Sequence, residues 1–386
     1  MQVRAITMGL DPGCPLNRQA IAAVGRFAAR CRVACADAGV PVQTVRLATP
    51  PFPLYLGGRT EAQILQFAAD LEACCREHGI DYCSLGPLNL QSPAECHLLT
   101  LVPALIAQTE VVFVSAVLGE PRNPVQSSAA RLVARTIGEI ARLTPMGFGN
   151  LRFAALVNCP PHIPFFPAAF HAGEPACSLA LEAADVVAAA CQPGLELTEV
   201  RASLRRELEG RILPIQQVLQ RLAGQEFVFR GVDLSPAPGP TPAASIAYAL
   251  ERLGLGRFGE PGTLSAAALI TAALKETSLL TCGYCGLMLP VLEDVGLAER
   301  NTQGLLRLSS LLAYSAVCGT GLDTIPLPGD VSEAQLTAVL LDVATLGWKL
   351  AKPLSARLFP IPGKHAGERT EFDFAYFVNT TVMAVE

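Results

Sequence analysis

Five segments of the sequence set thiol, carboxylate, imidazole or guanidinium groups beside Gly and Pro turns, the setting in which strand-end sites are built. In SAVCGTGLDTIP, residues 315–326, Gly319 and Gly321 bracket a loop with Cys318 on one side and Asp323 on the other. A thiol becomes a nucleophile when a base or cation lowers its pKa, and Asp323 can act as a proton carrier or metal ligand. A buried structural thiol beside a turn is the competing reading. In GVDLSPAPGPTPA, residues 231–243, a strand ends in Asp233 and Ser235 before prolines fix the backbone. Thr241 then caps a helix with Pro242 at its first position, where free N–H groups suit an anion; alternatively Asp233 and Ser235 only tie the turn.

In FFPAAFHAGE, residues 165–174, His171 stands three residues before Glu174 in an otherwise apolar loop, with His162 nearby in CPPHIP. That spacing can converge on a divalent metal or a proton-transfer site; a histidine satisfied by a backbone carbonyl is the alternative. The CGYCG of residues 282–286 is a CxxC pair without the second pair that structural zinc sites use, although Cys318 or Cys159 could add a ligand. In RLFPIPGKHAGE, residues 357–368, Arg357 and Lys364 could clamp a carboxylate or phosphate. The spacing is not that of a P-loop, and a solvated hairpin tip competes.

These segments need elements to hold them, and the chain has the material. It is 386 residues long, 51% hydrophobic and only 16% charged. The net charge of −5 and the scattering of 29 Lys and Arg residues leave no basic face for nucleic acid. Mean hydropathy is high at +0.38, but no apolar run approaches the roughly 18 residues of a membrane span, so neither partner is expected. Thirteen cysteines are spread along the chain, and its opening residues carry no export signal. Reduced thiols in a cytoplasmic protein are therefore expected, with most of them, such as Cys31, Cys35, Cys74 and Cys75, packing in helices.

Short turns separate alternating strand and helix patterns. Strands are predicted at residues 3–9, 42–48, 81–85, 111–118, 151–157, 226–234, 279–282, 356–359 and 372–383. Helices are predicted at 18–38, 60–78, 94–109, 124–143, 197–222, from about 243, 305–317 and 332–350, with Pro214 kinking the longest. No linker marks a domain boundary. Nine or ten apolar strands needing cover on both faces suit one α/β barrel over residues 1–386.

The blocks VRAITMG, AAFHAGE, VDLSPAPGPTPA, CGLMLPVLED, VCGTGLDTIPLP and RLFPIPGKHAGE, in that order, resemble the domain-of-unknown-function 711 family, also called UPF 0210. The resemblance runs from residue 3 to about residue 370. It implies a single ten-stranded α/β barrel of the pyruvate formate-lyase-like type, related to glycyl radical enzymes. It does not imply their radical, because the terminal FDFAYFVNTTVMAVE contains no glycine. In those barrels a cysteine loop enters the centre, and Cys318 is the analogous candidate. The chain departs from its relatives in being shorter, in carrying PACSLALEAADVVAAACQ where they have a Gly-rich stretch, and around Ser84–Leu90, so a changed ligand or a lost activity is conceivable.

The expected function is a radical-independent lyase, isomerase or hydrolase acting on a small anionic metabolite. Cys318, Asp323, His171 and Asp233 would carry the chemistry, while Ser235, Thr241, Arg357 and Lys364 would bind the substrate. A metal-dependent reaction through His171, Glu174 and Asp323, or non-catalytic metabolite binding, are the alternatives. A homo-oligomer is compatible with the sequence, which does not fix the oligomeric state.

Overall fold

The computed structural model describes residues 1–119, 125–224 and 226–385. Nine strands form one sheet: β1 (Gln2–Gly9), β2 (Val42–Ala48), β3 (Tyr82–Leu88), β4 (Val112–Gly119), β5 (Phe153–Val157), β6 (Ala176–Glu182), β7 (Val228–Ala237), β8 (Gly321–Pro328) and β9 (Leu354–Ile361). Their order across the sheet is β7-β6-β1-β2-β3-β4-β5-β9-β8. β1 to β5 run parallel, β6 and β9 flank them antiparallel, and β7 and β8 lie parallel to those flanking strands.

Strand periodicity sorts the side chains onto two faces. Val3, Ile6 and Met8 of β1, with Val45 and Leu47 of β2, pack against Ile21, Val24 and Phe27 of the helix Arg18–Asp37 in the main core. The other face carries small residues, Ala5, Ala154, Ala180 and Ala237, and these meet Ile163, Phe165 and Ala168 from the connection between β5 and β6. Small strand residues let that connection lie close against the sheet. It is pinned where Thr7 Oγ1 donates to Pro164 O at 2.7 Å, Ser84 Oγ donates to Ala169 O at 2.8 Å and His171 N donates to Thr49 O at 3.0 Å.

Most predicted elements are present, with informative exceptions. The expected helix start at Pro124 lies outside the described residues, and that helix spans Ser127–Leu143. β6 forms from the PACSLALEAADVVAAACQ stretch, and β8 from the glycine loop after Cys318. Neither was predicted, because Ala-rich and Gly-rich strands lack β-branched enrichment. The expected strand at 372–383 is irregular chain, bridged only at Arg369 with Thr381, because Asn379 bonds both the N–H and the C=O of Phe372 and closes a loop there. The expected strand at 279–282 exists as isolated bridges. Thr281 pairs with Val232 of β7, while Leu287 and Pro290 pair with Gly319 and Asp323 beside and within β8. One irregular segment thus touches both edge strands of the sheet. No described helix is long and apolar enough to cross a membrane.

The segment after these bridges is fixed by Asp294. Its buried carboxylate accepts from Gly296 N at 2.8 Å and Leu297 N at 3.1 Å, capping the helix Val295–Thr302. It also accepts from Ser245 Oγ at 2.5 Å and Ile246 N at 2.6 Å. Asp294→Ala strands several buried donors at once and should remove about 3 kcal/mol of stability. Urea unfolding checks this; a loss below about 0.5 kcal/mol would contradict the capping role.

Candidate active site

The alternation that sends apolar side chains to the helices sends Thr44 and Arg46 of β2 and Arg357 of β9 to the opposite face. A register shift between Val3 and Ala5 marks a bulge at Arg4 of β1, and another between Leu322 and Ile325 flanks Asp323 of β8; bulges re-aim side chains in this way. These residues, with Glu293, Tyr82, Phe166 and Tyr376, line a cavity of about 90 Å³. That is roughly three times the ~30 Å³ share of liquid volume that one water takes, room for a small ligand.

Charged groups here form a chain. Glu182 Oε2 accepts from Arg4 Nη1 at 3.0 Å, and Arg4 Nη2 donates to Glu293 Oε2 at 2.9 Å. The second Glu293 oxygen accepts from Arg357 Nη2 at 2.7 Å, and Arg357 Nε donates to Asp323 Oδ1 at 2.7 Å. Burial raises the Asp323 pKa, and the nearby Glu293 charge adds to that while Arg357 opposes it. For Arg357, burial works against the cation, but Asp323 and Glu293 outweigh it and hold the guanidinium charged.

Arg46 stands apart from this chain. It is 7% exposed and has no ion pair among the described residues. Its Nε donates to Thr44 Oγ1 at 3.0 Å, and its guanidinium lies 5.4 Å from the Phe166 ring centre and 5.5 Å from that of Tyr82. Burial, with Arg4 and Arg357 adding like charge against the opposing pull of Tyr82 and Glu293, pushes its pKa down to about 9. A buried charge without a direct ion pair costs several kcal/mol. Two cation–π contacts, about 1–2 kcal/mol each, offset only part of that. The remaining deficit is what an anion in the cavity would relieve.

Of the residues singled out in the sequence, Asp323 and Arg357 line this cavity and the others do not. Asp233 is fully buried and accepts from Ser235 N and Oγ at 3.0 and 2.6 Å, Tyr284 N at 2.7 Å and Cys285 N at 3.0 Å. Ser235 Oγ in turn accepts from Gly286 N at 3.0 Å. The CxxC segment is therefore a turn seated on this carboxylate, and Gly283, at φ +72°, leaves no space for a Cβ beside it. Cys318 ends the helix Leu308–Cys318, and burial raises its pKa against the opposing pull of Lys352. The segment crossing the small-residue face is the β5–β6 connection rather than the Cys318 loop expected from the resemblance.

His171 lies over Gly9, where a Cβ would strike its ring. Its Nε2 is 3.0 Å from Gly173 O, its Nδ1 is buried without a partner, and Glu174 is exposed. Among the described residues no three His, Cys, Asp or Glu side chains group as metal ligands. Thr241 is exposed beside a single 3-10 turn, and Lys364 pairs with Glu371 at 3.0 Å. No hydrogen bond or ion pair among the described residues joins any two of Cys318, Asp233 and His171. Sequence reasoning passed over Arg4, Arg46 and Glu293, although a lone arginine inside each of the apolar strands VRAITMG and VQTVRLA was a readable signal.

A family model described as an uncharacterised ACR, DUF711, matches residues 1–373. The chain is 30% identical to a UPF0210 protein of Listeria monocytogenes serotype 4b, over 96% of this chain and 88% of that one. It is 29% identical to a UPF0210 protein of Neisseria gonorrhoeae, over 96% and 87%. A UPF0210 protein of Carboxydothermus hydrogenoformans is 30% identical over 86% and 77%.

His162, packed edge-on 5.5 Å from His171, has its pKa lowered to about 4 by burial, with Arg230 and His171 adding to the shift. A depressed histidine pKa supplies stability that is present above the unfolded value near 6.5 and lost as pH falls toward 4. His162→Asn, whose side chain tolerates the residue's positive φ of 68°, should flatten the stability-versus-pH curve between pH 6.5 and 4. Denaturation across that range checks this, and curves that stay parallel would contradict it.

Proposed function

The chain belongs to the DUF711 (UPF0210) family, and we propose that it is an enzyme that binds the anionic group of a small metabolite at Arg46 and moves a proton at Asp323. The observation that carries this reading is the buried Arg46 guanidinium, without a direct ion pair among the described residues, in a cavity it shares with Arg4 and Arg357. Clustered cations of fixed geometry recognise carboxylate or phosphate. Asp323 borders the same space, and burial lifts its pKa toward the range in which a carboxyl can both give and take a proton. Arg357, itself anchored by Glu293, holds that carboxyl in place.

The sheet, in this reading, is curled into a single ten-stranded barrel of the pyruvate formate-lyase-like type, with residues 281–290 as its irregular tenth strand. Support comes from the bridges of that segment to both β7 and β8, and from Glu293 linking Arg4 of β1 to Arg357 of β9 across four intervening strands. A cytoplasmic setting is in keeping with thirteen free cysteines. Cys318, Asp233, Ser235, Thr241, Lys364, His171 and Glu174 lie outside the cavity lining and are given no step.

Calorimetric titration of small carboxylates and phosphate monoesters into the wild type and Arg46→Gln tests the reading. Loss of a charge-assisted pair of about 1.5–3 kcal/mol should weaken binding by about 10- to 100-fold in the variant. Equal affinities for wild type and Arg46→Gln would overturn it.

A further inference from the structure

The charges around the cavity balance. Three guanidinium groups, Arg4, Arg46 and Arg357, line the space with two carboxylates, Glu293 and Asp323, and a third carboxylate, Glu182, pairs with Arg4 from outside the lining. A ligand bearing only an anion would leave this enclosed cluster one negative charge in excess, and buried excess charge of either sign is costly. A ligand that is neutral overall but carries an anionic group keeps the balance.

Hydrogen-bonding capacity points the same way. Each Glu293 oxygen already holds a guanidinium, and Glu182 pairs with Arg4 outside the cavity lining. Asp323 differs. Its Oδ1 receives Arg357 Nε at 2.7 Å, and its other oxygen holds no guanidinium. Its side chain keeps 16% exposure, and it borders the cavity. The space therefore offers unmatched donors on Arg46 and unmatched acceptor capacity on Asp323.

We propose that the ligand is a small amino acid bound as its zwitterion, its carboxylate on Arg46 and its ammonium on Asp323. Met288, Pro290 and Phe374 supply apolar wall for a short side chain, and a cavity of about 90 Å³ limits the ligand to a small one. The inference rests on the Arg46 reading and adds the cationic partner. It also gives Asp323 a defined proton to move, one from the ammonium, which restores a free amine for chemistry at the adjoining carbon.

The test is thermal-shift and calorimetric titration of the full chain with the standard amino acids, their des-amino carboxylates and their decarboxylated amines. At least one amino acid should bind about tenfold or more tighter than both of its single-charge analogues. Asp323→Asn should erase the preference over the des-amino acid while keeping carboxylate binding, and Arg46→Gln should weaken both. Des-amino carboxylates binding as tightly as amino acids would overturn the zwitterion proposal and leave the anion site standing. Absence of binding by every carboxylate and by inorganic phosphate would overturn both. The wild-type comparison decides even if Asp323→Asn fails to fold.

Discussion

The carboxylate of Glu293 is the interaction on which the arrangement around the cavity depends. One oxygen takes Arg4 from β1 and the other takes Arg357 from β9. Those strands are separated by four others in the sheet, so a single side chain ties its two halves across the face opposite the helices. Glu293 is itself held in place by its neighbour Asp294, which fixes the following helix and the turn at Ser245–Ile246. A backbone segment without regular strand pairing is thus made rigid by two adjacent carboxylates. One is spent on backbone donors, and the other on guanidinium groups.

Everything else on that face follows from limited space. Small residues, Ala5, Ala154 and Ala180, admit the β5–β6 connection against the sheet, and Phe165 and Phe166 of that connection wall one side of the cavity. Phe166 also stacks on Arg46. The connection therefore both fills the face and shelters Arg46, which has no ion pair among the described residues. His171, farther along the same connection, closes over Gly9, and burial, with Arg230 adding like charge, disfavours its charged form.

The fold was legible where periodicity is strong. The helices Arg18–Asp37 and Glu61–Glu77 and the strands β1, β2, β4 and β5 fall close to their predicted ranges, because apolar alternation or a 3.6-residue period marks them. β6 and β8 were hidden because Ala and Gly do not read as strand formers, though buried neighbours impose extended structure on them. The site was half legible. Asp323 and Arg357 could be found because turns flank them, whereas Arg4, Arg46 and Glu293 sit within apolar stretches that read as core. Cys318 and Asp233 lie outside the cavity lining, which for a physical reason the sequence does not show. A Gly turn that presents a side chain to a ligand and one that buries it against its own backbone look the same in one dimension. Only the partners of Asp233, four donors from residues 235, 284 and 285, reveal which is which.

Whether Arg46 binds an anion or serves the fold alone is decided by a crystal structure of the protein grown with a small carboxylate. As an anion site, Arg46 should hold a carboxylate whose oxygens lie about 2.7–2.9 Å from its terminal nitrogens, with the Glu293 bonds to Arg4 and Arg357 unchanged. An Arg46 side chain turned onto a protein carboxylate, with the cavity holding only water, would contradict that role.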